Sequence, residues 1–148
     1  MTDTTTVFST AAARGAAKSL PYAGEVTPRE AHHLQQHGAK IIDVRYPFEN
    51  EYVGRVHGSS LAPWKLYPEG LNNPNFITQL RAVAKPDDIV LMLCRSGVRS
   101  HAAGVAAAAA GFTKVYNIIG GFEGDLDEQG HRGNRGGWRH AGLPWVQS

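Results

Sequence analysis

The chain's single cysteine, Cys94, ends an apolar run, and the residues after it are not those of a core. Arg95, Ser96, Gly97, Val98, Arg99 and Ser100 put two guanidinium groups, two hydroxyls and a glycine within six positions of the sulfur. Such a neighbourhood suits a thiolate nucleophile. A free thiol ionises near pH ~8.5, so only a few per cent is anion at neutral pH. Lowering that value by about two units takes roughly 2.7 kcal/mol of preference for the charged form. A helix N-terminus supplies only ~0.3–1 kcal/mol of this. The remainder must come from the loop: the N–H groups of residues 95–99, the charge of Arg95 or Arg99, and the hydroxyls of Ser96 and Ser100. Gly97 can take the positive backbone angle such a loop needs. The plain alternative is a lone cysteine closing a buried strand; two arginines and two serines directly after it speak against that.

These groups need a strand on one side and a helix on the other. Residues 88–93 are the most strand-like run, short and continuously apolar, as in a sheet covered on both faces. Residues 98–110 are alanine-rich and predict a helix stopped at Gly111. Strand, tight loop and helix N-terminus, in that order, make an anion cradle. The rest of the chain alternates in the same way. Thr27, Pro28 and Glu30 form a helix start with a capping box, and the helix they open buries Ala31 and Leu34 and ends at Gly38. Residues 39–44 predict a strand that runs into Asp43-Val44-Arg45. Residues 45–58 read as a long polar and aromatic loop holding one helical turn, and 60–63 as a short strand stopped by Pro63. Phe76, Ile77, Leu80, Val83 and Ala84 recur at helical spacing after Asn73-Pro74, and 114–119 give a last strand broken at Gly120-Gly121. This alternation implies an α/β fold around a parallel sheet, with ligands outside the carboxyl ends of the strands. Cys94 and Asp43-Val44-Arg45 both fall at such ends.

A length of 148 residues suits one compact domain. With 42% hydrophobic and 19% charged residues, the composition is neither that of a disordered chain nor that of a membrane-spanning one. The net charge of +2 gives no reason to expect a nucleic acid or a membrane as partner. One cysteine leaves no internal disulfide and no Cys-rich zinc site. His33 and His37 have the spacing of a two-ligand site, but with only Glu30 nearby they read as the polar face of a helix. No metal and no cofactor is therefore expected. The segment 1–20, rich in Thr, Ser and Ala, reads as a flexible N-terminal stretch, with 11–18 helical in composition, ahead of a single domain over 21–148. It lacks the basic start and apolar core of a secretory signal, so the expected location is cytoplasmic.

The loop Cys94-Arg95-Ser96-Gly97-Val98-Arg99-Ser100 resembles the active-site loop of the rhodanese family. The likeness extends, in order, through Thr27-Pro28-Arg29-Glu30-Ala31, Asp43-Val44-Arg45, Glu51-Tyr52, Gly54-Arg55-Val56-His57-Gly58-Ser59, residues 111–118, Gly120-Gly121 and Gly142-Leu143-Pro144. It covers about residues 24–146 and resembles a single-domain rhodanese. The resemblance implies a rhodanese-like, mainly parallel five-stranded sheet with helices on both faces. It also implies a sulfurtransferase of the thiosulfate:cyanide type, working through a persulfide on Cys94. Arg95, Ser96, Gly97, Val98, Arg99 and Ser100 would bind substrate, while Asp43 and Arg45 would lock the loop through charge-assisted hydrogen bonds. The implied partners are a small-molecule sulfur donor and a thiol or cyanide acceptor, with a protein sulfur acceptor as a further one.

Two departures from the family pattern stand out. Arg55 replaces the histidine of its Gly-His-Ile signature, with His57 two positions later, and the tryptophan that follows the Gly-Gly comes late, at Trp138. The delay is an insertion of about residues 124–137, whose Arg132 and Arg135 are expected to recruit an anionic donor or cover the persulfide; a solvated surface loop is the alternative. Three rival functions share the framework. A cysteine phosphatase or arsenate reductase would have five residues between cysteine and arginine, where this chain has four between Cys94 and Arg99. A persulfide carrier fits the same residues, and a non-catalytic rhodanese-like binding module would usually lack the cysteine.

Overall fold

The structure, a computed structural model, describes residues 3–148. In chain order its elements are α1 (Thr4–Ala17), β1 (Gly24–Val26), α2 (Pro28–Gln35), β2 (Lys40–Asp43), a π-helical turn over Glu49–Val53, β3 (Ser60–Leu61), β4 (Lys65–Leu66), β5 (Leu71–Asn72), α3 (Phe76–Val83), β6 (Ile89–Leu93), α4 (Val98–Ala109) and β7 (Lys114–Ile118). Five strands form one sheet in the order β1-β7-β6-β2-β3, and every neighbouring pair is parallel. β4 and β5 form a separate antiparallel hairpin that the sequence reading does not anticipate.

The central strand shows why the sheet is covered on both sides. Leu91 and Leu93 point into a core shared with Ala31, Leu34, Val7 and Ala11 of α2 and α1. Val90, Met92 and Cys94 point into the opposite core, with Phe76, Leu80, Ala103 and Ala107 of α3 and α4. Each fully buried Leu or Met contributes about 1.5–3 kcal/mol, and a one-residue slip would exchange the two faces. That alternation puts the Cys94 side chain on the α4 side, under the N-terminus of the helix that follows it.

The capping box is present: Thr27 accepts from the Glu30 N–H and the Glu30 carboxylate accepts from the Thr27 N–H. α2 stops at Gln35, short of Gly38, which takes a left-handed angle in the closing turn. The largest correction concerns the N-terminus. The segment expected to be flexible instead forms α1, docked on β1 with Val7, Ala11 and Gly15 buried. These three recur every fourth residue, a stripe of small side chains that lets the helix backbone lie against Gly24 of β1. Arg14 seals the contact with a bidentate bond to Glu30, at 2.7 and 3.3 Å. A small-residue stripe carries little hydrophobic signal, which is why composition reads only 11–18 as helical and misses the first turns and the docking on β1. Residues 1 and 2 lie outside the described residues. Among the described residues, no helix is long and apolar enough to cross a membrane.

Candidate active site

Cys94 lies one residue past the end of β6, with its side chain 1% exposed. The loop turns over it because Gly97, the residue capping α4, has φ +115°, a left-handed angle that a side chain would strain. This turn aims the Gly97 N–H at the sulfur, 3.1 Å away. Of the N–H groups expected at the sulfur, Gly97's is the one in hydrogen-bonding position. Ser100, on the first turn of α4 and fully buried, brings its hydroxyl to 3.2 Å from Sγ. Ser100, not Ser96, is thus the hydroxyl at the sulfur. Arg95 and Val98 are exposed at the mouth.

Arg99 is not the free cation the sequence reading supposes. Its two guanidinium nitrogens donate to both oxygens of Glu49, at 2.6 and 2.9 Å, and its guanidinium lies over the Tyr46 ring. Burial by itself would raise the Glu49 carboxyl, but the Arg99 guanidinium and the Tyr46 N–H hold it below its ordinary value. Burial likewise works against the Arg99 charge, and the Glu49 carboxylate more than offsets it, so Arg99 is held above its ordinary value. The cysteine loop is therefore pinned to the turn Glu49–Val53 by a charge-assisted fork.

Asp43 and Arg45 also act on that turn rather than on the cysteine loop, which corrects the expected target of their bonds. Both are fully buried. Arg45 donates to both Asp43 oxygens, at 2.9 and 2.7 Å, and to the Gly54 carbonyl, at 2.6 Å. Asn50 adds a donor to Asp43 at 2.9 Å. The pair fixes both ends of the π-helical turn, the turn presents Glu49, and Glu49 holds Arg99. Side-chain chemistry at the end of β2 thereby reaches the Cys94 loop through one intermediate carboxylate.

Cys94 lines a cavity of about 640 Å³. Tyr46 and Phe48, stacked on each other, make one wall, and Lys65, Arg95 and Arg132 add cationic side chains around it. The two arginines of the insertion part company here. Arg132 lines the cavity and donates to the Gly124 carbonyl, whereas Arg135 is half-exposed and faces Glu128. The insertion is pinched at its base, where Gly124 packs directly on the Gly136 backbone and the Trp138 N–H returns to the Gly121 carbonyl. The residues leading into it cap the cysteine loop, since the Phe122 N–H bonds the Cys94 carbonyl and the Glu123 N–H that of Arg95. Asp127 orders the remainder by accepting from the His131 and Gln129 N–H groups and from Asn134. Trp138 is a core residue, fully buried, with its indole N–H on the Pro144 carbonyl. Arg55 ties down the C-terminal tail through the Val146 backbone and Ser148, and neither it nor His57 lines the cavity. Among the described residues, no group of three or more His, Cys, Asp or Glu side chains is placed to hold a metal ion.

Two residues that sequence reasoning did not single out complete the site. Glu49 shares its loop with Glu51, and nothing local distinguishes the buried one from the exposed one. Asn117 carried a readable signal as the one amide in an otherwise apolar strand end. It is 5% exposed and accepts from the Ser100 hydroxyl at 2.6 Å.

Comparison with known proteins agrees with this architecture. The chain is 32% identical over 115 residues to the uncharacterized protein RP600 of Rickettsia prowazekii, covering 76% of this chain and 86% of that one. It is 28% identical over 103 residues to the thiosulfate sulfurtransferase GlpE of Haemophilus influenzae, covering 68% and 85%. Among solved structures, Rv0390 from Mycobacterium tuberculosis superposes with a TM-score of 0.75 at 39% identity, covering 86% of this chain and 99% of that one. The Rhodanese-like domain family matches residues 27–128, which hold Asp43, Glu49 and the whole Cys94 loop, and the chain belongs to that family.

Proposed function

We propose that this protein is a sulfurtransferase that carries a sulfane sulfur on Cys94 from a donor such as thiosulfate to a thiophilic acceptor such as cyanide or a thiol. In the first half-reaction the Cys94 thiolate attacks the outer sulfur of thiosulfate. A sulfur–sulfur bond forms to Cys94, the donor's own sulfur–sulfur bond breaks, and sulfite leaves with the electron pair. In the second, the acceptor's lone pair attacks the outer sulfur of the persulfide and Cys94 leaves as the thiolate. Two half-reactions through a covalent intermediate give ping-pong kinetics. The Gly97 N–H and the N-terminus of α4 face the negative charge at each stage.

The observation that carries this reading is the placement of Cys94. Its sulfur sits at a strand end, under a backbone donor, and the residue lines a cavity rimmed by Lys65, Arg95 and Arg132. The relation to a protein named as a thiosulfate sulfurtransferase supports it. The Glu49–Arg99 fork argues against the phosphatase reading, because a guanidinium with both arms on a carboxylate is not offered to a tetrahedral phosphate.

A thiosulfate:cyanide assay of the wild type beside Cys94→Ser tests the proposal, together with the intact mass after exposure to thiosulfate. Turnover in the wild type, none in the variant and the gain of one sulfur on Cys94 are expected. Equal activity in both proteins overturns the mechanism. Sulfur gain without turnover points instead to a persulfide carrier, and no gain with any donor to a binding module.

A further inference from the structure

The hydrogen bonds about Cys94 close into a ring with a defined direction. The Asn117 amide nitrogen donates to the Gly97 carbonyl at 3.1 Å, which fixes the amide so that its oxygen faces Ser100. The Ser100 hydroxyl donates to that oxygen at 2.6 Å. The Gly97 N–H donates to the Cys94 sulfur at 3.1 Å, and the sulfur lies 3.2 Å from the Ser100 oxygen. A hydroxyl has one proton. With that proton committed to Asn117, Ser100 shows the sulfur a lone pair, which accepts from a thiol S–H and repels a thiolate. For Ser100 to donate to a thiolate, its proton must turn away from Asn117 and leave a buried amide oxygen without a donor, which is unfavourable.

We propose that Asn117 is a positioning residue that holds the Ser100 proton and so keeps Cys94 in the thiol form until Ser100 turns toward the sulfur. Asn117 acts through Ser100 and does not touch the sulfur. It suits the task because β7 presents it from outside the cysteine loop, buried, with both ends of its amide occupied. The charged groups around the thiol are the Glu49–Arg99 pair and Arg95, with Lys65, Glu123 and Arg132 on the walls of the same cavity, and behind Asn117 stands the Tyr22 hydroxyl, 2.7 Å from His101 Nδ1. The proposal concerns protonation of Cys94 and rests on hydrogen-bond geometry, so it stands or falls independently of sulfur transfer.

The test is the ultraviolet absorbance of the Cys94 thiolate as a function of pH, read against Cys94→Ser. Cys94 is the chain's only cysteine, so the titration reports one group. Tyr22, the tyrosine closest to the ring, is pushed up to about 12 by burial and stays out of the working range. Asn117→Leu, close in shape and unable to accept, frees the Ser100 proton. Its midpoint should fall by about one pH unit, a tenfold gain in thiol acidity, as expected for a hydrogen bond to a charged group. In a Ser100→Ala background the same substitution should change nothing, because the effect passes through the hydroxyl. A midpoint that stays or rises in Asn117→Leu overturns the proposal. So does a fall that persists without Ser100, which would assign the effect to loop distortion. Ser100→Ala alone removes the lone pair that accepts from the thiol, and a rise in its midpoint, which would show the hydroxyl already donating to the thiolate, would refute the proposal even if the leucine variant did not fold.

Discussion

Replacing Glu49 with Gln separates the two things its carboxylate does, holding a charge and holding a shape. Glutamine keeps the length and one oxygen but removes the anion and sets an NH2 against the second arm of Arg99. The pair is mostly buried, with side-chain exposures of 8% for Glu49 and 16% for Arg99. Exposed ion pairs contribute about 0.2–1 kcal/mol, while breaking a fully buried one costs about 3–5 kcal/mol. Two short charge-assisted bonds in an intermediate setting give an expected loss of about 2 kcal/mol at neutral pH, or roughly 6 °C in Tm for a chain of this size. The loss must depend on pH with a defined sign. Burial would raise the Glu49 carboxyl, yet Arg99 and the Tyr46 N–H hold it below its ordinary 4.5. Its contribution is therefore full above the unfolded-state value and disappears as pH falls through the lower folded-state value. Urea unfolding of both proteins, at pH 7 and then stepwise below 4.5, should show a gap of about 2 kcal/mol closing toward ~0. A gap that stays constant with pH, or one below about 0.5 kcal/mol at neutral pH, would refute the claim that the Glu49 charge pins the cysteine loop.

The insertion and the buried pair yield two further predictions. Arg132 lines the cavity and Arg135 does not, so Arg132→Ala should raise KM for thiosulfate by about fivefold, equivalent to ~1 kcal/mol, with Arg135→Ala unchanged. Equal effects in steady-state kinetics, or none from Arg132, would sink the idea that the insertion serves the site. Arg45→Met leaves Asp43 charged in the core with only Asn50 and a backbone N–H as donors, and should cost about 3–5 kcal/mol in urea unfolding. A cost under about 1 kcal/mol would show that the pair is not what fixes the turn.

The chain also shows where its sequence is legible. A strand ending just before Cys94, a glycine that takes φ +115° and an alanine-rich helix are local matters, written by propensity and steric freedom over a dozen residues. The capping box at Thr27 and Glu30 is equally local and occurs as read. The N-terminal helix is legible only over 11–18, and its docking is hidden because Val7, Ala11 and Gly15 bury little apolar surface; they work by close backbone approach, which needs β1 to exist first. Arg99 misled for a related reason. A cation near a cysteine reads as an electrostatic helper until the chain returns with a carboxylate to claim it.

Sequence by itself determined the place of the lone cysteine at a strand end, its glycine turn and the α/β order of the elements, since each depends on neighbours within a few residues. Tertiary structure decided what state those groups are in. It gave Arg99 to Glu49 across fifty positions of chain, Ser100 to Asn117 across seventeen, and Arg132 but not Arg135 to the cavity. A hydrogen bond or ion pair is set by distance in space, and distance in sequence does not constrain it until the sheet and its crossovers are built.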